Sequence, residues 1–239
     1  MDPFLIPLLL VVAGVASAPG TGAPGVVPTS GPPSSGRSSP LPWQVTQADV
    51  LEAVRSGRAE FAFVELPGAP GVFVTADALK VDGIRVPVTA RTTQAVCDFL
   101  GCHPTTPAVE DMIQGAATVP VVPPTEDWRT MQTEAAVRHF NSRIDEQVAG
   151  RAGLVSCVGK SWVLSNAELD HPGRAVNYGM FRPDGPYNSV SGRFRLWQQP
   201  SWAHNPDHWD YSQTCRLVRL DPGAVLPAHE PLRVQRLWV

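Results

Sequence analysis

The sequence predicts an α+β fold, with a small N-terminal α+β unit followed by a mixed, mostly antiparallel β unit that carries one long helix. Three observations favour this class. Short alternating apolar runs bounded by Pro-Gly and Asp-Gly pairs indicate strands between residues 60 and 88. Apolar residues at helical spacing follow at 89–115 and again at 128–150. From residue 154 onward, strand-like runs return and extend to the C-terminus.

The first unit is assigned to residues 44–116. Thr46 suits the N-cap of its first helix, because a threonine hydroxyl accepts a hydrogen bond from a backbone N–H of the first turn. Asp82-Gly83 suits a two-residue hairpin turn. The predicted elements before the second helix are a helix at 46–58, strands at 60–66 and 71–75, and a hairpin at 79–88.

Two further helices close this unit. Thr89 or Thr92 begins the first of them, and Gly101 ends it, since glycine readily adopts the left-handed conformation that follows a helix. Thr105-Thr106-Pro107 opens the second, with Pro107 at the first helical position, where its missing N–H costs nothing.

A connector at 117–126, rich in proline and valine, leads to the second unit at 127–239. Residues 128–150 form the longest helical pattern, with Met131, Phe140 and Ile144 among its inner positions. The remaining runs read as strands, at 154–164, 174–181, 193–197, 211–220 and 232–239.

The N-terminus carries an apolar stretch, 4–18, that ends in Ala16-Ser17-Ala18, the small-residue pattern of an export signal. The residues before it carry no positive charge, and the stretch is shorter than the ~20 residues of a membrane-spanning helix. Cleavage near Ala18 is the first interpretation, and an uncleaved anchor or an apolar strand of a cytosolic protein are the alternatives. Residues 19–43, rich in Gly, Pro and Ser, are predicted to form a disordered linker.

Charge and cysteine content narrow the classes of function. The net charge is −3 and the isoelectric point is near 6.1, so no nucleic-acid partner is expected. Cys97 and Cys102 either bridge or simply pack, whereas Cys157 and Cys215 are interpreted as buried free thiols. No Cys-x-x-Cys pair exists, which argues against a structural zinc knuckle.

The densest group of reactive side chains lies between His204 and Ser212. His204 and His208 have the spacing that places two imidazoles on one helix face, as zinc sites require. Pro206 disfavours that helix, so the alternative is a turn capped by Asn205 that leads into a strand near residue 211.

Asp210 and Ser212, together with Thr214 and Arg216, are predicted to share one face of that strand. This polar face either lines a cleft or is the solvated side of an edge strand. Nucleophilic catalysis by Ser212 would require a base, for which His204 or His171 is available, but the glycines of a nucleophile elbow are absent.

Residues 170–179 contain His171, followed by a Pro-Gly turn and a predicted strand. The segment faintly resembles the zinc-binding signature of D-alanyl-D-alanine peptidases, in which an aspartate follows seven residues after a histidine. Here that position is Tyr178, and Asn177 is the nearest polar candidate. The resemblance implies a zinc ion, but a neutral amide at a shifted register is a poor zinc ligand. If zinc is bound, the histidine spacing and a meeting of His171 with His208 across a sheet make His171, His204 and His208 its expected ligands.

Lys160, one of only two lysines, lies in an apolar strand pattern. The Gly-Lys-Ser around it lacks the first glycine of a phosphate loop, since position 154 is leucine, so nucleotide binding is rejected. A lysine that extends its amine to solvent is preferred over a site lysine.

Five short motifs resemble a family of bacterial and phage-borne proteins that has no assigned activity. The motifs are Pro172-Gly173, Tyr178-Gly179, His204, Asp210-Tyr211-Ser212 and Arg216-Leu217-Val218. The resemblance covers about residues 60–220 and implies a prophage setting. Relatives often carry Trp-His after the Tyr-Gly pair, whereas this chain has Met180-Phe181.

Together these observations predict an exported or membrane-tethered protein of the cell envelope. The leading hypothesis is a hydrolase acting on peptidoglycan, with His171, His204, Asp210 and Ser212 as catalytic candidates. The N-terminal segment would contact the membrane if it is not cleaved. The competing hypothesis is a non-catalytic module, either a virion component or an envelope-binding domain whose Trp and Tyr residues make the contacts.

Overall fold

The structure is a computed structural model that describes residues 47–237, and these residues belong to one compact unit. The predicted export segment and linker at 1–43 lie outside the described residues. The helices are α1 Gln47–Arg55, α2 Ala90–Leu100, α3 Pro107–Ala116, α4 Glu134–Val148 and α5 Ala167–Asp170. The strands are β1 Ala59–Glu60, β2 Phe63–Glu65, β3 Val72–Thr75, β4 Lys80–Val81, β5 Ile84–Arg85, β6 His103–Pro104, β7 Lys160–Trp162, β8 Ala175–Phe181, β9 Leu196–His204, β10 Gln213–Thr214 and β11 Leu217–Leu220.

The strands form three sheets, which confirms the α+β class. Their orders are β1-β4-β5, β2-β3-β11-β6 and β10-β7-β8-β9. Strand β10 runs parallel to β7, while the other strand pairs are antiparallel. Because β11 lies between β3 and β6, residues 217–220 complete a sheet whose other strands come from the first half of the chain.

The buried apolar residues also cross the predicted boundary at 117–126. One cluster joins Leu79 and Val96 to Trp162, Cys215 and Leu217. Residues of both predicted units, within 47–116 and 127–237, therefore contribute to the same core. Strand pairing over more than 100 residues, such as that of β3 with β11, is not visible in local sequence patterns.

The helix ends follow the predicted capping chemistry. Thr89 is the N-cap of α2, where its side-chain oxygen accepts from the backbone N–H of Thr92, and Gly101 adopts the left-handed conformation at the C-terminus. Thr106 caps α3, with Pro107 in the first turn. Thr133 caps α4, so this helix begins later than residue 128. The residue proposed to cap α1, Thr46, lies outside the described residues.

The predicted strands are less accurate than the helices. The run 60–66 divides into β1 and β2, only three residues of 154–164 form β7, and 232–237 contains no strand. Strand β9 is longer than predicted and carries two register irregularities against β8. The run 211–220 begins late as a strand, because Asp210 accepts from the backbone N–H of Ser212 and forms a turn before β10. It then divides into β10 and β11 at residues 215–216.

A buried arginine organises the hairpin β4–β5. The Arg85 guanidinium lies 2.7 Å from Asp77 and 2.7 Å from Asp145, and its side chain is fully buried. Burial alone would raise the pKa of Asp77, but the hydrogen bonds and charge of Arg85 lower it overall. Asp77 also pairs with the partly exposed Lys80 at 3.2 Å.

We expect Asp77→Ala to lower the free energy of unfolding by about 2–3 kcal/mol, because it leaves a buried guanidinium with one carboxylate fewer. Lys80→Ala removes only the partly exposed partner of the same carboxylate, so the expected loss is below about 1 kcal/mol. Urea denaturation measures both values. Equal losses in the two variants would contradict the structural role assigned to Arg85.

Candidate functional site

The site is built on one face of the sheet β10-β7-β8-β9. Lys160 of β7 lies opposite Gly179 and Gln213, and Trp162 lies opposite Asn177. Opposed residues of a sheet share a face, so the side chains of Lys160, Asn177 and Gln213 lie on the same side. The segment 204–212 contributes the remaining polar groups.

Two glycines allow the backbone segments of this site to approach closely. A Cβ atom at Gly159 would lie 2.2 Å from the carbonyl oxygen of Ser212, and one at Gly179 would lie 2.6 Å from the carbonyl oxygen of Gly159. Both approaches are shorter than any normal contact with backbone. Glycine is therefore required at each position to bring β7 against residue 212.

The centre of the site is a buried ion pair between Lys160 and Asp210. Lys160 Nζ lies 2.6 Å from Asp210 Oδ2, and the two side chains are 9% and 0% exposed. The other carboxylate oxygen, Oδ1, accepts from the Ser212 hydroxyl at 2.6 Å and from the Ser212 backbone N–H at 2.9 Å. The Asp210 backbone N–H donates to Gln213 Oε1 at 3.1 Å.

These contacts fix the charge of Asp210. Burial by itself would raise the pKa of this carboxyl, but the His208 ring, the Lys160 ammonium and the Ser212 hydroxyl together lower it below its ordinary value. His208 Nε2 lies 3.5 Å from Oδ2 and is not in hydrogen-bond geometry, so the 2.6 Å contact with Lys160 is the stronger interaction. Asp210 is therefore a carboxylate at neutral pH.

His204 and His208 stack against each other at the outer edge of this ion pair. Their ring centroids are 3.8 Å apart and the ring planes differ by 5°. Burial, and then the neighbouring His208 and Lys160, lower the pKa of His204 to about 4. His204 is accordingly a neutral imidazole at pH 7, able to accept a proton from a bound reactant.

The turn that carries these histidines has the structure favoured by its proline. The side-chain oxygen of Asn205 accepts from the backbone N–H of Asp207 at 3.0 Å. The backbone carbonyl of Asn205 accepts from the backbone N–H of His208 at 3.2 Å. Asp207 also pairs with Arg91 of α2 at 2.8 Å, which anchors the turn to the body. The helix that would have aligned the two imidazoles for a metal does not form.

The predicted zinc site is not supported by this geometry. An imidazole nitrogen binds a metal ion in the plane of its ring. Because the two stacked rings lie in separate parallel planes, their nitrogens do not point at one ion as tetrahedral ligands do. His171 instead stacks on Trp202, with centroids 4.2 Å apart. Across residues 47–237, no three His, Cys, Asp or Glu side chains are grouped as a metal site requires.

Ser212 is also placed differently from the prediction. It lies in a turn and is 2% exposed, and its hydroxyl is committed to Asp210. Asp210, Thr214 and Arg216 are buried as well, so the polar set is not the solvated side of an edge strand. The structure therefore assigns Ser212 to holding the carboxylate rather than to attack on a substrate.

Lys160 is the site residue that sequence reasoning misjudged. Its partner is 50 positions away, and a strand pattern does not reveal such a contact. The available signal was a lone lysine within an otherwise apolar strand in a chain that uses arginine almost throughout. A buried lysine at such a position requires a carboxylate partner.

Two buried amides in the site lack hydrogen-bond partners within the described chain. They are both polar atoms of the Asn177 side chain and Nε2 of Gln213. An unsatisfied buried polar group costs about 1–3 kcal/mol, so native structures retain few of them. These donors and acceptors are therefore not used within the described chain.

A second polar network lies on the opposite face of β8. Asp111 of α3 accepts from the Tyr178 hydroxyl at 2.7 Å and lies 3.2 Å from His229 Nε2. Asn188 donates to both oxygens of the same carboxylate at 3.1 Å. This network joins helix, sheet and C-terminal segment, and the local sequence gave no signal of it.

We expect the stability of the wild-type protein to decrease as pH falls from about 6.5 to about 4. Within this window, His204 is protonated in the unfolded chain but not in the folded one, so the unfolded state binds more protons. His204→Asn should flatten this part of the profile of unfolding free energy against pH. Identical slopes for the two proteins, measured by urea denaturation, would show that His204 is not held neutral.

Comparisons of the chain with protein-family models, with curated proteins and with solved structures gave no match. Within residues 47–237, no helix is long and apolar enough to cross a membrane.

Proposed function

We propose that the chain is a cell-envelope hydrolase that cleaves amide bonds of peptidoglycan by general acid–base chemistry, with His204 as the base. The observation that carries this proposal is the neutral His204 imidazole at the edge of the buried Lys160–Asp210 pair. A buried charge pair or a shifted pKa usually lowers the stability of the fold. Such groups are therefore concentrated at functional sites, where the chemistry needs them.

The residues of the site have complementary roles in this reaction. A water molecule attacks the carbonyl carbon of the substrate and passes a proton to His204, which then donates it to the departing amine as the C–N bond breaks. The free N–H groups of Asn177 and Gln213 supply hydrogen bonds to the oxyanion that develops. Lys160 contributes a fixed positive charge, and Asp210 holds it in place.

The N-terminal sequence supports a place in the cell envelope. The apolar segment 1–18 and the linker 19–43 have the order expected of an exported or tethered protein, and the family resemblance adds a prophage setting. The envelope is where peptidoglycan is available as a substrate.

A non-catalytic envelope-binding module is the second candidate. It is favoured by the exposed aromatic side chains of Tyr187, Trp197 and Trp202, which could contact a polymer without any reaction.

Incubation of the purified full chain with isolated sacculi separates the two functions. Amide hydrolysis creates new amino groups in the sacculi and releases peptide fragments, both of which can be counted over time. A chelator should leave the rate unchanged, because none of the proposed steps uses a metal. Binding to sacculi with no new amino groups would support the module and contradict the hydrolase.

A further inference from the structure

A groove of about 440 Å³ lies beside the ends of β8 and β9, away from His204. It is bounded by α3, α4 and the connector at 120–122. Its polar lining consists of three arginines, one tyrosine and two glutamines, and it contains no carboxylate: Arg182, Arg193, Arg195, Tyr187, Gln114 and Gln147.

The positive charge of this groove is only partly neutralised. Arg182 forms a two-point ion pair with Asp184, at 2.9 and 3.0 Å. Arg195 donates one hydrogen bond, to the carbonyl of Gly185, and most of its five N–H donors remain available. Among the described residues, neither Arg193 nor Arg195 has a carboxylate partner. Two guanidinium charges therefore face the groove on a chain whose net charge is −3.

Aromatic rings accompany the arginines. The Arg195 guanidinium lies over the ring of Tyr187, 4.2 Å from its centroid, and Arg182 lies 4.7 Å from the centroid of Trp197. Tyr187 is 62% exposed and Trp197 is 48% exposed, so much of each ring contacts solvent. Guanidinium groups bind carboxylate or phosphate, whereas aromatic faces bind the apolar faces of sugar rings.

Strand β9 connects this groove to the candidate active site. Trp197 lies near its first residue, Trp202 lies further along, and His204 is its last residue. Seven residues of extended strand span roughly 23 Å, the length of several sugar units. A polymer bound at the arginines can therefore reach His204 if it is several sugar units long.

We propose that this groove binds an acidic glycan, a sugar polymer that carries carboxylate or phosphate groups, and holds it for reaction at His204. This inference rests on the proposed function, because it names the polymer on which the same site acts.

The probe is fluorescent polygalacturonate, tested against the full chain; it has no amide bond, so the proposed reaction does not degrade it while binding is measured. Fully methyl-esterified polygalacturonate has the same sugar chain without the charges, and polyglycerol phosphate tests phosphate as the anion. We expect the acidic polymers to bind at least about tenfold more tightly than the esterified one. Their affinity should fall as salt is raised.

Two variants localise the binding. Arg193→Gln removes one unpaired charge, and Tyr187→Ala removes one exposed ring, so each should weaken binding by about three- to tenfold. Arg58→Gln makes the same charge change at an exposed arginine just before β1, where it pairs with Asp82, and should have no effect. Unchanged affinity in both groove variants would overturn the proposal.

The remaining outcomes separate the groove from the reaction. Equal affinity for the esterified polymer, or tighter binding of single-stranded DNA, would overturn the acidic-glycan assignment. Charge-dependent binding without cleavage of sacculi would leave the groove in place and remove the hydrolase. Cleavage of sacculi with no charge-dependent binding would keep the hydrolase and overturn the glycan-binding groove.

Discussion

Asp210→Ala should lower the free energy of unfolding by about 3–5 kcal/mol, the largest loss expected for a single substitution in this site. The variant leaves the Lys160 ammonium buried without a carboxylate, and it removes the acceptor of both Ser212 hydrogen bonds. The stabilising contribution of Asp210 is present above the ordinary aspartate pKa of about 3.9 and is lost as pH falls through the lower folded value. Urea denaturation at pH 7 therefore measures it in full.

Asp207→Ala is the matched control for this prediction. Asp207 lies three positions away and pairs with Arg91 at 2.8 Å, but both side chains are largely exposed. The expected loss is below about 1 kcal/mol, because solvent screens exposed ion pairs. Combining Asp210→Leu with Lys160→Met should cost less than the sum of the single variants, since it removes both buried charges together. Additive losses would mean that the two groups are not coupled.

His204→Asn should lower the rate at which new amino groups form in sacculi by a factor of about 10²–10⁴, the usual contribution of a positioned general base. Asparagine keeps a hydrogen-bonding side chain of similar size but cannot accept a proton near neutral pH. Because the pKa of His204 is lowered to about 4, the wild-type rate should remain high down to about pH 5 and fall below it.

His139→Asn is the corresponding control for the rate. His139 is an exposed histidine on α4 that pairs with Glu126 at 2.7 Å, remote from the site in the sequence and on another element. Its substitution should leave the rate unchanged. A His204→Asn variant that forms new amino groups as fast as the wild type would remove the base from the mechanism.

The parts of the fold that follow from the sequence are those fixed by local chemistry. Thr89 and Thr106 cap their helices through contacts within three residues, and Asp82-Gly83 closes a hairpin between adjacent strands. These interactions involve neighbours in the chain, so a local pattern is sufficient to reveal them. The mixed α+β class follows from the same patterns.

The candidate site illustrates what local patterns do not contain. The importance of the segment around Asp210 is visible in its composition, but the parallel pairing of β10 with β7 is not, and this pairing is what brings Lys160 to the carboxylate. The stacking of His204 on His208, rather than convergence on a metal, depends on the turn at Pro206 and on contacts with Arg91. Both features arise from tertiary structure.

The central physical claim is that the fold holds His204 as a neutral imidazole beside a buried Lys160–Asp210 pair. The most direct test is an NMR titration of the imidazole signals of the full chain, with His204 assigned by comparison with His204→Asn. We expect a midpoint near pH 4, well below the ordinary histidine value of about 6.5. A midpoint at or above 6.5 would contradict the arrangement and the catalytic role that depends on it.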